Sequence, residues 1–318
     1  MAESPLRPDL GALADLPGVW RGTALSIVTL PSSTPQPPFV VSLERSKETL
    51  QVERIPDTPN RSNVTLITTT GRAANPDLDI AIGGLSYRKT CEIASLGVAG
   101  KSRKDEETGL LLGIPKAISA SETTADRPDE FAVSPYLVRH ALIPDGYALS
   151  QWGRDSRTDK KPDIPNLAWT ANGIAITDGS LAAYRHDLAV PVGKQIDDLV
   201  DSVDGFLTNP NHYLQHAVGK SGHDLSSTVT VDLALRAAAQ AATFAANVQV
   251  RSARISYWIE TVHGGPDRMV VARQLLYSQT VTLSIDGKDY DQVTVGVLLK
   301  DAESAPPASQ ASQASRRR

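Results

Sequence analysis

Residues 275–299 read LLYSQTVTLSIDGKDYDQVTVGVLL, and two-fold alternation runs through them on both sides of one punctuation mark. Leu275, Tyr277, Val281, Leu283 and Ile285 share one face of an extended chain, because successive side chains of a strand point to opposite sides. Asp286-Gly287 is a tight-turn signal, and Val293, Val295, Val297 and Leu299 alternate after it. The pattern predicts an antiparallel hairpin.

The same period recurs upstream. In FVVSLERSKETLQVERI (39–55), Phe39, Val41 and Leu43 share a face, the polar run Arg45–Glu48 reads as a turn, and Leu50, Val52 and Arg54 alternate on the return. LSYRKTCEI (85–93) places Leu85, Tyr87, Cys91 and Ile93 on one side, with Lys89 interrupting. ARISYWIETV (253–262) sets Ile255, Tyr257 and Ile259 opposite Ser256, Trp258 and Glu260. At least ten such segments can be counted along the chain. A many-stranded antiparallel sheet must hide its edges, and closure into a barrel removes them. The expected fold is mainly β: a closed antiparallel β-barrel with a few short helices in the second half.

Three stretches carry helical spacing. GKQIDDLVDSVDGFL (193–207) sets Ile196, Leu199, Val200 and Val203 on one stripe. NPNHYLQHAVG (209–219) offers Asn209 as N-cap, Pro210 in the first turn and Gly219 as a stop. LALRAAAQAATFAANV (233–248) is alanine-rich and reads as helix. The polar stretches 119–130 and 153–165 look like inserted loops. The expected organisation is an N-terminal arm (1–15), one barrel domain (16–302) and a disordered tail (303–318) that after Glu303 holds only Ala, Ser, Pro, Gln and three arginines.

Composition narrows the function classes. The chain has 318 residues, a formal net charge of -4 and 41% hydrophobic content, which allows a real core. Basic residues are scattered, which predicts no nucleic-acid partner. Cys91 is the single cysteine, so an intrachain disulfide and a cysteine zinc cage are excluded. No signal-peptide pattern and no long apolar run is present. A cytoplasmic protein with no membrane partner is expected.

Several motifs fail on inspection. Ser95 and Leu214 occupy the first-glycine positions of two phosphate-loop look-alikes that end in Gly-Lys-Ser. Ser86 and Lys89 match Ser-x-x-Lys, but on a strand they point to opposite faces. His212 and His216 lie four apart on a helix, so both could face one metal, with His223 or Asp224 as a third ligand; surface or capping histidines are the plainer reading. His140, in PYLVRHALIP, shares a strand face with Tyr136, Val138 and Leu142. It reads as an axial ligand to haem iron, a base toward a bound molecule, or a hydrogen-bonded core histidine.

LPGVWRGTALSIVTLP (16–31) contains Gly18-Val19-Trp20 ahead of an alternating run. This Gly-x-Trp resembles the calycin superfamily, in which the indole closes one end of a small-molecule barrel. A set of longer blocks, LPGVWRGTALSIV, ETLQVERIPDTPNR, GGLSYRKT, VRHALIPDGYALSQWG, NPNHYLQHAV and YWIETVHGG with the hairpin after it, spans about 16 to 300 in order. Together they resemble a family of bacterial haem-binding β-barrel proteins, with nitrobindin-like barrels a more distant parallel. The resemblance implies haem, or another flat apolar molecule, held inside a calycin-like barrel. Two departures stand out. Asp145 stands where the family's Ile-Pro-His-Gly turn has its histidine, and Leu112 stands near the place of a second one. That leaves His140 as the nearest iron ligand, with Tyr136 and Trp20 in the cofactor-binding set.

Three readings follow. The first is a binding protein for haem or a similar small apolar ligand. The second is a metal-free enzyme acting on a small hydrophobic metabolite, with His140, Asp145 and Tyr147 as acid-base groups. The third is a homo-oligomer built through the central helices and the 119–130 loop.

Overall fold

The computed structural model describes residues 10–33, 38–55, 83–96, 102–114, 136–143, 146–177, 196, 198–220, 226–236, 241–243, 247–264 and 269–301. The expected loop 119–130, Asp145, His223, Asp224 and the tail 303–318 lie outside these residues.

Ten long strands form the barrel: β1 (Gly18–Pro31), β2 (Phe39–Arg54), β3 (Gly83–Ser95), β4 (Ser102–Ile114), β5 (Tyr136–Ile143), β6 (Tyr147–Thr158), β9 (Ser226–Ala234), β11 (Val248–Gly264), β12 (Met269–Ile285) and β13 (Lys288–Lys300). Every pairing is antiparallel, β1 pairs with β13, and β6 pairs with β9 to close the ring. A short β10 (Ala241–Thr243) pairs with the start of β6, where β9 does not reach. The hairpin β7 (Thr170–Ala171) and β8 (Ile174–Ala175) stands apart as its own small sheet. The chain folds as the closed antiparallel barrel that alternation predicts.

Turn chemistry acts where expected. Asp286 and Gly287, at φ +50° and +78°, join β12 to β13, as a two-residue hairpin turn with positive φ at both positions requires. The two apolar sets of that hairpin face opposite ways. Leu275, Tyr277, Val281 and Leu283 belong to the clusters that fill the barrel, whereas Val293 and Val295 join a core on its outer surface.

That outer core corrects one expectation. Residues 39–54 do not turn at Arg45–Glu48; they form one sixteen-residue strand in continuous register with β1. Phe39, Val41 and Leu43 face out under a second layer, and Glu44, Ser46, Glu48, Leu50 and Val52 alternate on the other face. Apolarity therefore switches face halfway along β2, and a phase change in the sequence reads like a turn. The second layer holds Ile164, Trp169, Ile196, Val200, Phe206, Leu207, Tyr213 and Leu214. Its anchors are specific: Asp291 on β13 accepts hydrogen bonds from the Thr170 N–H (2.7 Å) and hydroxyl (3.0 Å), and Trp169 Nε1 donates to Leu207 O at 2.9 Å.

Helices are shorter than the spacing predicts. Leu199 and Val200 close one turn on Ile196 O, and α1 covers only Val203–Thr208, capped by Ser202 Oγ, which accepts from Gly205 N at 3.0 Å. Helix α2 runs His212–Lys220, through Gly219. Asn209 does not cap it by side chain; its amide instead accepts from Leu167 N and donates to Asn166, tying down the extended crossing segment. The described parts of the alanine-rich stretch are extended: Ala234 ends β9, Ala241–Thr243 is β10 and Val248 opens β11. Helix propensity loses there to ladder pairing and to burial of Leu233 inside the barrel. The 153–165 insertion is likewise half strand, since β6 pairs with β9 as far as Thr158.

Candidate functional site

The barrel interior is layered along its axis. At one end Leu10, Ala12, Leu13 and Leu16 pack with Trp20, Leu50, Val52, Leu85, Leu111 and Leu137. Trp20 is fully buried and its Nε1 donates to Leu16 O at 2.8 Å. The expected arm therefore supplies the stopper together with the indole, and Trp20 lies within this packed plug.

A charged belt crosses the middle. Strand register carries Glu48 on β2 to Cys91 on β3 and Asp105 on β4, and carries Lys89 to Glu107 one step deeper. Arg139 on β5 is fully buried and pairs in register with Gln151 on β6. Its guanidinium donates to Glu107 Oε1 (2.5 Å), Gln279 Oε1 (3.1 Å), the Tyr87 hydroxyl (3.0 Å) and Gln151 Oε1. Lys89 Nζ lies 2.9 Å from Glu107 Oε2, and Tyr87 donates to Glu107 Oε1 at 2.7 Å. On the other side of the belt Glu48 accepts from Tyr277 (2.7 Å), Ser46 (3.1 Å) and the Cys91 thiol (3.5 Å).

Two close approaches set the tyrosines. A Cβ on Gly109 would sit 2.6 Å from the Tyr87 ring, and one on Gly296 would sit 2.2 Å from the Tyr277 ring. The glycines leave room for rings laid across the neighbouring strand, which aims each hydroxyl into the belt.

Electrostatics holds Glu107, Lys89 and Arg139 ionised. Burial pushes the Glu107 carboxyl upward, but the Lys89 and Arg139 charges outweigh it and bring it down to about 2. Burial pushes the Lys89 ammonium down, yet the carboxylates of Glu107 and Glu48 help carry it well above the usual lysine range. Burial raises Tyr87 and Tyr277, so both stay hydroxyl donors. Burial and Glu48 push the Cys91 thiol up, away from thiolate chemistry.

Beyond the belt lies a cavity of about 90 Å³. Ser26, Ser46, Glu48, Lys89, Gln279 and Thr294 form its polar inner wall, while Val28, Ile93, Ile143 and Val281 supply apolar wall. At its rim Arg103 bridges Glu44 (2.5 and 3.1 Å) and Asp105 (2.9 Å), and Tyr147 donates to Gln292 at 3.1 Å.

The sequence-predicted residues do not gather here. His140 is exposed on the outer face of β5, the side opposite Arg139 and Ala141. It borders a shallow outer depression of about 520 Å³ with Leu142, Ala148, Ser150 and Ala242. Tyr147 lines the inner cavity, so the barrel wall separates it from His140 and the two cannot share one proton transfer. Tyr136 begins β5. His212 and His216 both reach Asp201, His212 by a direct hydrogen bond and His216 at 3.6 Å. Among the described residues no group of three metal-ligating side chains forms.

The candidate site residues that sequence reading misses are Glu107, Arg139 and Gln279, while Glu48 enters it as the end of a turn and Lys89 as a break in the alternation and half of a failed Ser-x-x-Lys match. Their signal appears once register is known: opposite charges occupy inward positions on adjacent strands.

No family model and no curated protein matches the sequence. Among solved structures, an S-type phycobiliprotein lyase from Guillardia theta is 10% identical, with 90% of this chain and 88% of that chain covered, at a TM-score of 0.26. OccAB4 from Acinetobacter baumannii is 8% identical over 89% of this chain and 97% of its own, at a TM-score of 0.16. At such scores neither neighbour's activity bears on this chain. No helix among the described residues is long and apolar enough to cross a membrane.

Proposed function

We propose that this barrel binds a small polar molecule in its interior, on the charged belt. The observation that carries the reading is the cavity of about 90 Å³ lying directly over Glu48, Lys89 and Gln279. Buried charges and amides are costly to maintain without hydrogen-bond partners. Here they line a space rather than pack shut, an arrangement that suits recognition better than stability. Size limits the guest, because drug-sized ligands occupy pockets of about 300–1,000 Å³ and benzene fills an apolar cavity of about 150 Å³. The buried portion of a guest is therefore a few heavy atoms, and a tetrapyrrole exceeds the space.

The test is a titration of the full chain with acids, amides and amines of up to about five heavy atoms, followed by backbone and methyl NMR. Saturable shifts at Ser26, Ser46 and Thr294 support the reading; no saturable shift at any inner position overturns it.

A haem-binding reading survives only at a different place. His140 borders the outer depression of about 520 Å³, whose volume falls in the range of ligand pockets. Hemin titration separates the two readings. A Soret change that His140→Ala abolishes places haem outside the barrel, and no change in the wild-type protein removes this second reading.

A further inference from the structure

The cations of the belt are distributed unevenly between its two carboxylates. Lys89 and Arg139 both fall on Glu107, at 2.9 and 2.5 Å. Glu48 is only 4% exposed and receives three donors, from Tyr277, Ser46 and Cys91, all of them neutral. Among the described residues no ion pair reaches it. Its contact partners are all neutral, and the one cation that feels it at longer range, Lys89, is engaged in a contact ion pair with Glu107, so Glu48 has no cation of its own.

Glu48 is also a wall of the cavity. The same wall carries Glu44, Asp105 and Glu107 against Lys89 and Arg103, so the lining is acidic even when Arg139 behind Glu107 is counted. At the rim Arg103 is already committed to Glu44 and Asp105, which leaves it no free face to offer Glu48. Around the space, Ser26 and Thr294 hydroxyls, 3.0 Å apart, present lone pairs, and Ile143 and Val281 present apolar surface.

We infer that the cavity takes a small organic cation, a primary alkylammonium, with Glu48 as its counter-ion. The inference rests on the binding reading above and names the class of ligand. An ammonium brings three N–H donors and no acceptor, matching a carboxylate flanked by hydroxyl oxygens. Its one or two carbons lie against Ile143 and Val281, and a longer alkyl chain leaves by the rim. A carboxylate guest meets like charge at Glu48 and is excluded.

The experiment compares ethylammonium, acetamide, acetate and potassium ion as ligands of the full-length protein, by NMR titration at constant ionic strength, in wild type and in Glu48→Gln. Ethylammonium is expected to bind at least tenfold more tightly than acetamide or acetate, to shift Ser46 and Thr294, and to lose that preference in Glu48→Gln. If Glu48→Gln does not fold, the wild-type preference over the neutral amide still decides. Acetamide or acetate binding as tightly as ethylammonium overturns the cation assignment and leaves the binding reading standing. Potassium binding in place of ethylammonium overturns the organic-cation assignment alone. Failure of every probe to reach the interior brings down both.

Discussion

Replacing Glu107 by Gln puts the charged belt to its hardest test. In the wild type two cations and two carboxylates balance inside the barrel, and Glu107 alone holds Lys89 and Arg139. Glutamine keeps the shape and one acceptor but removes the charge, leaving an excess buried cation. Removing one partner of a buried pair costs about 3–5 kcal/mol. The pKa gives a second handle on the same quantity. The Glu107 carboxyl sits at about 2, against 4.5 as its ordinary value, and each unit of such a difference corresponds to about 1.4 kcal/mol, or about 3 kcal/mol in total. Because the folded value is lowered, that stabilisation is fully present above pH 4.5 and is lost as pH falls through about 2. Urea denaturation across that window should show the wild type losing about 3 kcal/mol, and Glu107→Gln starting lower with a flatter acid limb. Adding Lys89→Met to Glu107→Gln restores neutrality, so the double variant should be more stable than the sum of the single losses by about 1–3 kcal/mol. A Glu107→Gln cost under about 1 kcal/mol, or strict additivity in the cycle, refutes a charged, interlocked belt.

Trp20→Ala empties the plug and loses the bond to Leu16 O; denaturation should show a cost of about 3–5 kcal/mol. Gly296→Ala drives a Cβ into the Tyr277 ring and should cost about 1–3 kcal/mol, with Tyr277→Phe recovering little because the clash is with the ring. Cys91, buried with its thiol pushed up, should resist a thiol reagent at neutral pH until the protein unfolds; rapid modification of the native protein contradicts the geometry.

How far the sequence reaches is clearest strand by strand. The hairpin 275–299 is legible because its turn residues and its alternation agree. β2 is not, because a strand covered on both sides along different halves carries apolar residues on one face and then the other. The alanine-rich stretch misleads because local propensity is a small term beside a closing ladder. β5 is the decisive failure for function. Leu137, Arg139, Ala141 and Ile143 alternate with Tyr136, Val138, His140 and Leu142, and both sets look equally apolar. Only register with Leu111 on β4 and Gln151 on β6, visible once strands are paired, turns the arginine inward, where it meets Glu107, and the histidine outward.

The most direct test is a crystal structure of the protein soaked with the tightest-binding small molecule from the titration. The account predicts electron density inside the barrel, between Glu48, Ser46, Gln279 and Thr294, with the Trp20 plug unmoved. Density confined to the outer depression beside His140, over an interior left unchanged, contradicts it.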